Sequence, residues 1–155
     1  PYCQDNPISW MDWASLPTSQ TLELTRKLIA LRQQTPALRR TDFFDGRPDD
    51  DQTSTDISWL RIDGSQMTQE DWNSPDTSLL ILAISGRVTE ASVESTDAAV
   101  IIAMNRSSEQ QRMHIPNADD YLVAIDTTSM TEVEQRVTEF ATLPARSVLV
   151  LLKGN

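Results

Sequence analysis

The sequence is poor in the residues from which most compact active sites are made. Among 155 residues there is one cysteine, Cys3, and one histidine, His114. A lone cysteine forms no internal disulfide, and Cys3 has no cationic neighbour in sequence to lower its pKa. One cysteine and one histidine are too few soft ligands for zinc, so no metal and no cofactor is expected. The four glycines, Gly46, Gly64, Gly86 and Gly154, stand singly, which excludes a glycine-rich phosphate loop. No serine sits in a Gly-x-Ser-x-Gly turn, and His114 falls where a strand meets Pro116, a strand-end position rather than that of a base. No apolar run approaches the roughly 18 to 20 residues needed to cross a bilayer; the expectation is a soluble protein with no membrane partner. Basic side chains are scarce too, 13 against 23 acidic, for a formal net charge of -10. Such a surface repels phosphate backbones and anionic lipid, which argues against nucleic acid as a partner. With a single thiol, the reducing cytoplasm is the default compartment. The chain opens on Pro1-Tyr2-Cys3 without a basic-then-apolar leader or an initiator methionine, so it reads as processed or as a piece of a longer polypeptide.

Acidic residues are the one abundant chemistry. A carboxylate pair for glycoside cleavage must face across a cleft, with one pKa raised by burial. Asp5, Asp12 and Asp45, near aromatic or apolar residues in sequence, are the candidates to consider. The adjacent Asp49, Asp50 and Asp51 send their side chains in different directions, which suits a solvated loop better than calcium. No catalytic residue is assigned.

The organising element is a helix expected over 18–34. At 100° per residue Leu24, Leu28 and Leu31 fall on one edge of an apolar arc and Leu22 and Ile29 on the other, about half a turn wide in all. Thr18 or Ser19 can cap its start, and Pro36 biases Thr35 away from helical angles. An arc that wide suggests contacts to two bodies, one of them outside this chain. Beyond the helix, strand-length apolar runs follow at 57–62, 79–85, 99–105, 111–115, 121–125 and 147–152, with a weaker candidate at 134–141. Turn signals at Asp63-Gly64, Pro116-Asn117 and Leu143-Pro144 separate several of them. The fold class is mainly β, an antiparallel sandwich preceded by one long helix. The runs at 79–84 and 100–104 are apolar on both faces, so they are central strands covered on two sides, by the opposite sheet and by the helix. The stretches 47–56 and 89–97 are polar and read as loops.

Trp10 and Trp13 precede the helix, and from the residues alone packing against it is favoured over a sugar-stacking platform. Trp59 alternates with Ile57 and shares its core-facing side, whereas Trp72 follows a polar turn and is exposed.

Several of these segments resemble one family. Tyr2-Cys3-Gln4-Asp5-Asn6 followed by Ile8-Ser9-Trp10-Met11-Asp12-Trp13 is similar to the segment after the eighth barrel strand of isoamylase-type glycogen-debranching enzymes. Leu28-Ile29-Ala30-Leu31-Arg32 through Pro36-Ala37-Leu38-Arg39-Arg40 to Phe43-Phe44 resembles the last barrel helix and its exit. Asp56-Ile57-Ser58-Trp59-Leu60-Arg61, Asp63-Gly64, Met67-Thr68 and Asp71-Trp72 match a stretch at the start of the family's C-terminal β domain. Leu143-Pro144-Ala145-Arg146-Ser147-Val148 resembles that domain's closing strand.

The resemblance implies an α-1,6-glucosidase that hydrolyses branch linkages of glycogen or related α-glucans, with a (β/α)8 barrel followed by a β-sandwich. This chain would be its tail: 1–40 the last loop and helix of the barrel, 41–155 the C-terminal β-sandwich of α-amylase-like enzymes. The family's catalytic carboxylate motifs do not occur in it. Gln4, Asp5 and Asn6 would then be partners for sugar hydroxyls, and Trp10 and Trp13 platforms, unless these residues tie the loop to the barrel rim. The partners implied are the upstream barrel and, in the intact enzyme, the α-glucan. At roughly 25 cal/mol per Å², a few hundred Å² of bared helix is worth several kcal/mol, so the fragment is expected to dimerise or to redock the helix on its own sheet. Two other functions compete: an independent carbohydrate-binding module using Trp59 or Trp72, and an unrelated acidic β-sandwich adaptor.

Overall fold

The computed structural model describes residues 3–47, 55–85, 100–115, 120–129 and 135–154. The aspartates at 49–51, the polar stretch 89–97 and the Pro116-Asn117 turn lie outside the described residues.

A 3₁₀ turn, Trp13–Thr18, leads into helix α1, Gln20–Gln34. Ser19 is the residue that caps it: its hydroxyl accepts from the amide of Leu22 at 3.3 Å, satisfying one of the orphan donors of the first turn. Thr18 closes the preceding turn instead. At the far end the Thr35 amide donates to the Leu31 carbonyl at 3.0 Å, and Pro36 starts a second 3₁₀ turn, Pro36–Arg39.

The strands are β1 (Ile57–Leu60), β2 (Leu79–Ile84), β3 (Val100–Asn105), β4 (Gln111–His114), β5 (Tyr121–Asp126), β6 (Arg136–Val137), β7 (Phe140–Leu143) and β8 (Ser147–Lys153). A short helix α2, Gln69–Asn73, lies between β1 and β2. Six strands form one antiparallel sheet in the order β1-β2-β3-β8-β5-β6, and β4 and β7 form a second. The expected sandwich is present with layers of unequal width.

Register explains why the central strands are apolar on both faces. Ile101 lies opposite Ala83 and Leu151, while its neighbour Ile102 lies opposite Leu82 and Val150. The period of two sends the first set to one face and the second to the other. On the first face Leu60, Ile81, Ile101, Ala103, Leu149 and Leu151 meet Met113, Ile115, Ala141 and Leu143 from the small sheet and its flank. On the second, Ile84, Val100, Ile125 and Val150 meet Ala37, with Leu24, Leu31 and Leu38 packed against them. An irregularity between Val123 and Ile125 shifts the register of β5 on β8, and that extra residue turns Ile125 to the helix side.

The weak candidate strand at 134–141 is two strands serving different sheets. Val137 pairs with Tyr121 in the large sheet, and Phe140 pairs with His114 in the small one. A chain that changes partners within three residues cannot keep one alternation. Between the sheets, the buried Asn105 ties two turns together: its amide nitrogen donates to the Glu109 and Pro144 carbonyls, both at 2.9 Å, and its oxygen accepts from the Ser107 amide at 2.9 Å, so a buried polar group is fully partnered.

Candidate functional site

The N-terminal loop gathers most of the residues that sequence assigned to substrate. Asn6 organises it: its side-chain oxygen accepts from the Ile8 amide at 3.0 Å and its carbonyl from the Ser9 amide at 3.0 Å, an Asx turn that folds the chain back on itself. Asn6 Nδ2 donates to Gln4 Oε1 at 3.4 Å, and the Ser9 hydroxyl donates to the Gln4 carbonyl. The indole N–H of Trp10 donates to the Asp5 carboxylate. Gln4, Asp5, Asn6 and Trp10 are therefore one hydrogen-bonded group. Trp13 stands apart from it, at the start of the 3₁₀ turn.

The expected packing of Trp10 and Trp13 on the helix is not made. They stay 63% and 74% exposed, in the company of Ile8 and Met11. The hydrogen bonds in the loop are local, so they set its shape without carrying the rings onto the body of the protein.

Helix α1 shows a related imbalance. Leu24 and Leu31 pack towards the sheet, yet no residue of the helix is buried, and Leu28 and Ile29 remain 43% and 53% exposed. The open surface does not follow the two expected edges of the arc: Leu28 shares an edge with Leu24 and Leu31 yet is exposed, and Leu22 shares one with Ile29 yet is half-buried. Lys27 and Glu23 pair at 3.4 Å one turn apart.

After α1 the chain is fastened to the sheet by charge. Arg40 pairs with Asp56 at 3.1 Å, both largely buried, and Asp56 also accepts from the amides of Asp45 at 3.2 Å and Gly46 at 2.9 Å. Phe44 lies under the Arg40 guanidinium at 4.6 Å, whereas Phe43 is 98% exposed.

Of the three candidate aspartates, Asp5 holds Trp10, Asp12 caps the 3₁₀ turn through the Ala14 amide at 3.1 Å, and Asp45 accepts from the Arg47 amide at 2.9 Å. Each has a local structural partner. Among the described residues no cluster of three or more histidine, cysteine or acidic side chains could hold a metal. His114 stacks edge-on to Phe140 with ring centroids 5.3 Å apart. Gly64, at φ +82°, also lies against it, with only 3.1 Å between Nδ1 and the position a Cβ would take. Its part is packing.

A second aromatic corner lies at the outer edge of the large sheet. Trp59 of β1 and Trp72 of α2 stand edge to face, with centroids 5.4 Å apart and planes at 78°. Trp59 does share a face with Ile57, but that face is the helix side, since the neighbouring Leu60 is the residue that enters the sealed core. Trp72 is 49% exposed, as expected. The ion pair beneath was not anticipated: Asp71 accepts from Arg61 Nε at 2.7 Å and from the Thr68 amide and hydroxyl at 2.7 and 2.8 Å. The hydrogen bond from Arg61, reinforced by those from Thr68, lowers the Asp71 carboxyl to about 2, and the same bond raises Arg61. The Ser65 hydroxyl and amide likewise hold Asp63 below the usual carboxylate range. The signal that marks this corner in the sequence is the spacing of Thr68 and Asp71, a capping box.

No protein-family model matches the chain. A protein of Mycobacterium tuberculosis named glycogen operon protein GlgX homolog is 30% identical over 98% of the chain, which spans 23% of that protein. The glycogen debranching enzyme of Serratia proteamaculans is 31% identical over 98% of the chain, which spans 20% of it. Among solved structures, the type I pullulanase of Bacillus subtilis superposes over 96% of the chain with a TM-score of 0.62 at 17% identity, the chain spanning 18% of that protein. At that identity the pullulanase speaks for the fold, which is that of its β-rich domain. The chain spans less than a quarter of the length of the relatives it matches. Among the described residues no helix is long and apolar enough to cross a membrane. On sequence over nearly its full length and on fold, the chain belongs to the glycogen-debranching family of glycoside hydrolases and corresponds to the β-rich C-terminal part of such an enzyme.

Proposed function

We propose that this chain is the non-catalytic end of a cytoplasmic α-1,6-glucosidase that cleaves branch linkages in glycogen or related α-glucans. Residues 1–40 are the last loop and helix of a catalytic (β/α)8 barrel, and 41–155 are the β domain that packs beside it. The observation that carries this reading is the helix engaged on one side only: Leu24 and Leu31 rest on the sheet while Leu28 and Ile29 are left in water. In a barrel, the outer helix buries one stripe on the strands, and the open edge of α1 is the stripe available for that.

Within the same reading, Gln4, Asp5, Asn6, Trp10 and Trp13 lie on the loop that follows the eighth barrel strand, at the end of the barrel where substrate binds. Their amides and carboxylate, held in one hydrogen-bonded group with capacity left over, are suited to sugar hydroxyls, and the exposed indole faces to the apolar faces of glucose rings. Alanine substitution in the longer enzyme separates this from anchoring: substrate contact predicts lost turnover at an unchanged melting temperature, and anchoring predicts lost stability. Freed of the barrel, two copies of the chain can cover each other's α1, so light scattering of the isolated chain is expected to show association that Ile29→Glu abolishes.

The assay for the whole proposal is hydrolysis of a branched dextrin. The longer protein is expected to release linear chains, and the 155-residue chain none. Release by the 155-residue chain alone would overturn the non-catalytic assignment.

A further inference from the structure

The corner formed by Trp59 and Trp72 has no part in the packing just described, yet it is held firmly. Helix α2 is five residues long and buries none of them, and a helix of that length does not hold itself in water. It is held instead from its flanks. Asp71 joins Arg61 and Thr68 by the bonds given above, the Thr77 hydroxyl donates to the Asp71 carbonyl at 2.8 Å, and Trp59 sets the edge of the Trp72 ring at 78°. All this bracing fixes the orientation of an indole that remains 49% exposed. Bracing without burial adds little to a core; its effect is to present a ring face to water in one fixed orientation.

The surroundings narrow what such a face takes. Gln69 and Asn73 are exposed, and at three residues before and one after Trp72 they lie with it on one side of the helix, within an arc of about 100°. The guanidinium of Arg61 is already engaged by Asp71, and the chain as a whole carries -10, so an anionic ligand is disfavoured. A flat apolar ring with two neutral amides along one side of it matches a pyranose, whose C–H face stacks on indole while its hydroxyls exchange hydrogen bonds with the amides.

From this geometry we infer that Trp72, with Gln69 and Asn73, is a binding platform for a neutral α-glucan chain. The choice of glucose as the sugar rests on the debranching reading; the platform itself rests on the corner.

The test uses the 155-residue chain in native gels with and without glycogen, and titration with maltoheptaose followed by tryptophan fluorescence. The native chain is expected to be retarded by glycogen. Trp72→Ala should weaken maltoheptaose binding by about tenfold or more, the size of a stacked ring contact, and the double variant Gln69→Ala/Asn73→Ala, on the surface of the fold, should weaken it as well. Phe43→Ala, a still more exposed aromatic outside the corner, should bind as the native chain does. Equal mobility of the native chain in both gels overturns the inference. So does retardation that survives Trp72→Ala and the amide double variant but is lost in Trp10→Ala or Trp13→Ala. Binding here together with failure of the longer protein to cleave branched dextrin would support the platform and overturn only the enzyme reading.

Discussion

The two faces of the six-stranded sheet are built by the same alternation of side chains, and they are finished differently. On one, Met113, Ile115 and Leu143 have no exposed surface and Ile101 and Leu151 no more than 1%. On the other, the covering helix contributes no buried residue and leaves Leu28 and Ile29 in water. The first face is closed by strands whose register is fixed by backbone ladders within the chain; the second by a helix that touches the sheet along one edge. A strand that is apolar on both sides thus specifies that two covers exist, and says nothing of whether both are complete.

Truncations across the two faces sharpen this contrast. Leu151→Ala, in the sealed core, is expected to cost about 4 kcal/mol, because a methylene-rich side chain is removed where neighbours cannot collapse. Leu31→Ala, on the half-buried edge of α1, should cost about 1 kcal/mol. Urea midpoints at constant slope measure both. Equal costs would erase the distinction between the faces.

A smaller effect, gated by pH, tests the corner outside both cores. Because the Asp71 carboxyl is held at about 2 in the folded chain against an ordinary value of 3.8, its ion pair stabilises the fold fully above about pH 4 and is lost as pH falls through about 2. The stability difference between the native chain and Asp71→Asn should therefore be constant above pH 4 and shrink towards zero on acidification. A difference that grows as pH falls would reverse the assignment. The smallest effect is Leu28→Ala, expected to stay within about 0.5 kcal/mol in the 155-residue chain at concentrations where it is monomeric.

Much of this was legible in the residues. The two-faced runs of β2 and β3 announced central strands, Pro36 stopped α1, and Asp63-Gly64 marked a turn that needs φ of +82° at Gly64. The breadth of the α1 arc announced two edges. Other features depended on pairings far apart in sequence. Nothing in the local pattern of Ser147–Lys153 says that it inserts between β3 and β5, or that β6 and β7 belong to different sheets. Helix α2 is too short for periodicity and is visible only through its capping box. The exposure of Trp10 and Trp13 was missed because large aromatics are usually buried by whatever lies next to them; here their own loop holds them with polar bonds. For the candidate site, the polar cluster of Gln4, Asp5, Asn6 and Trp10 came from the family resemblance, and no spacing rule would have drawn those side chains together.

The central claim, that the open edge of α1 is covered in the longer enzyme, is tested most directly by the reactivity of a thiol placed on it. With Cys3, itself exposed, replaced by serine, Ile29→Cys should be labelled in the 155-residue chain, diluted until it is monomeric, at nearly the rate of a free thiol. In the longer enzyme, labelling at position 29 should be slower by about tenfold or more, as for a site reached only by local opening. Equal rates in the two proteins would contradict the account.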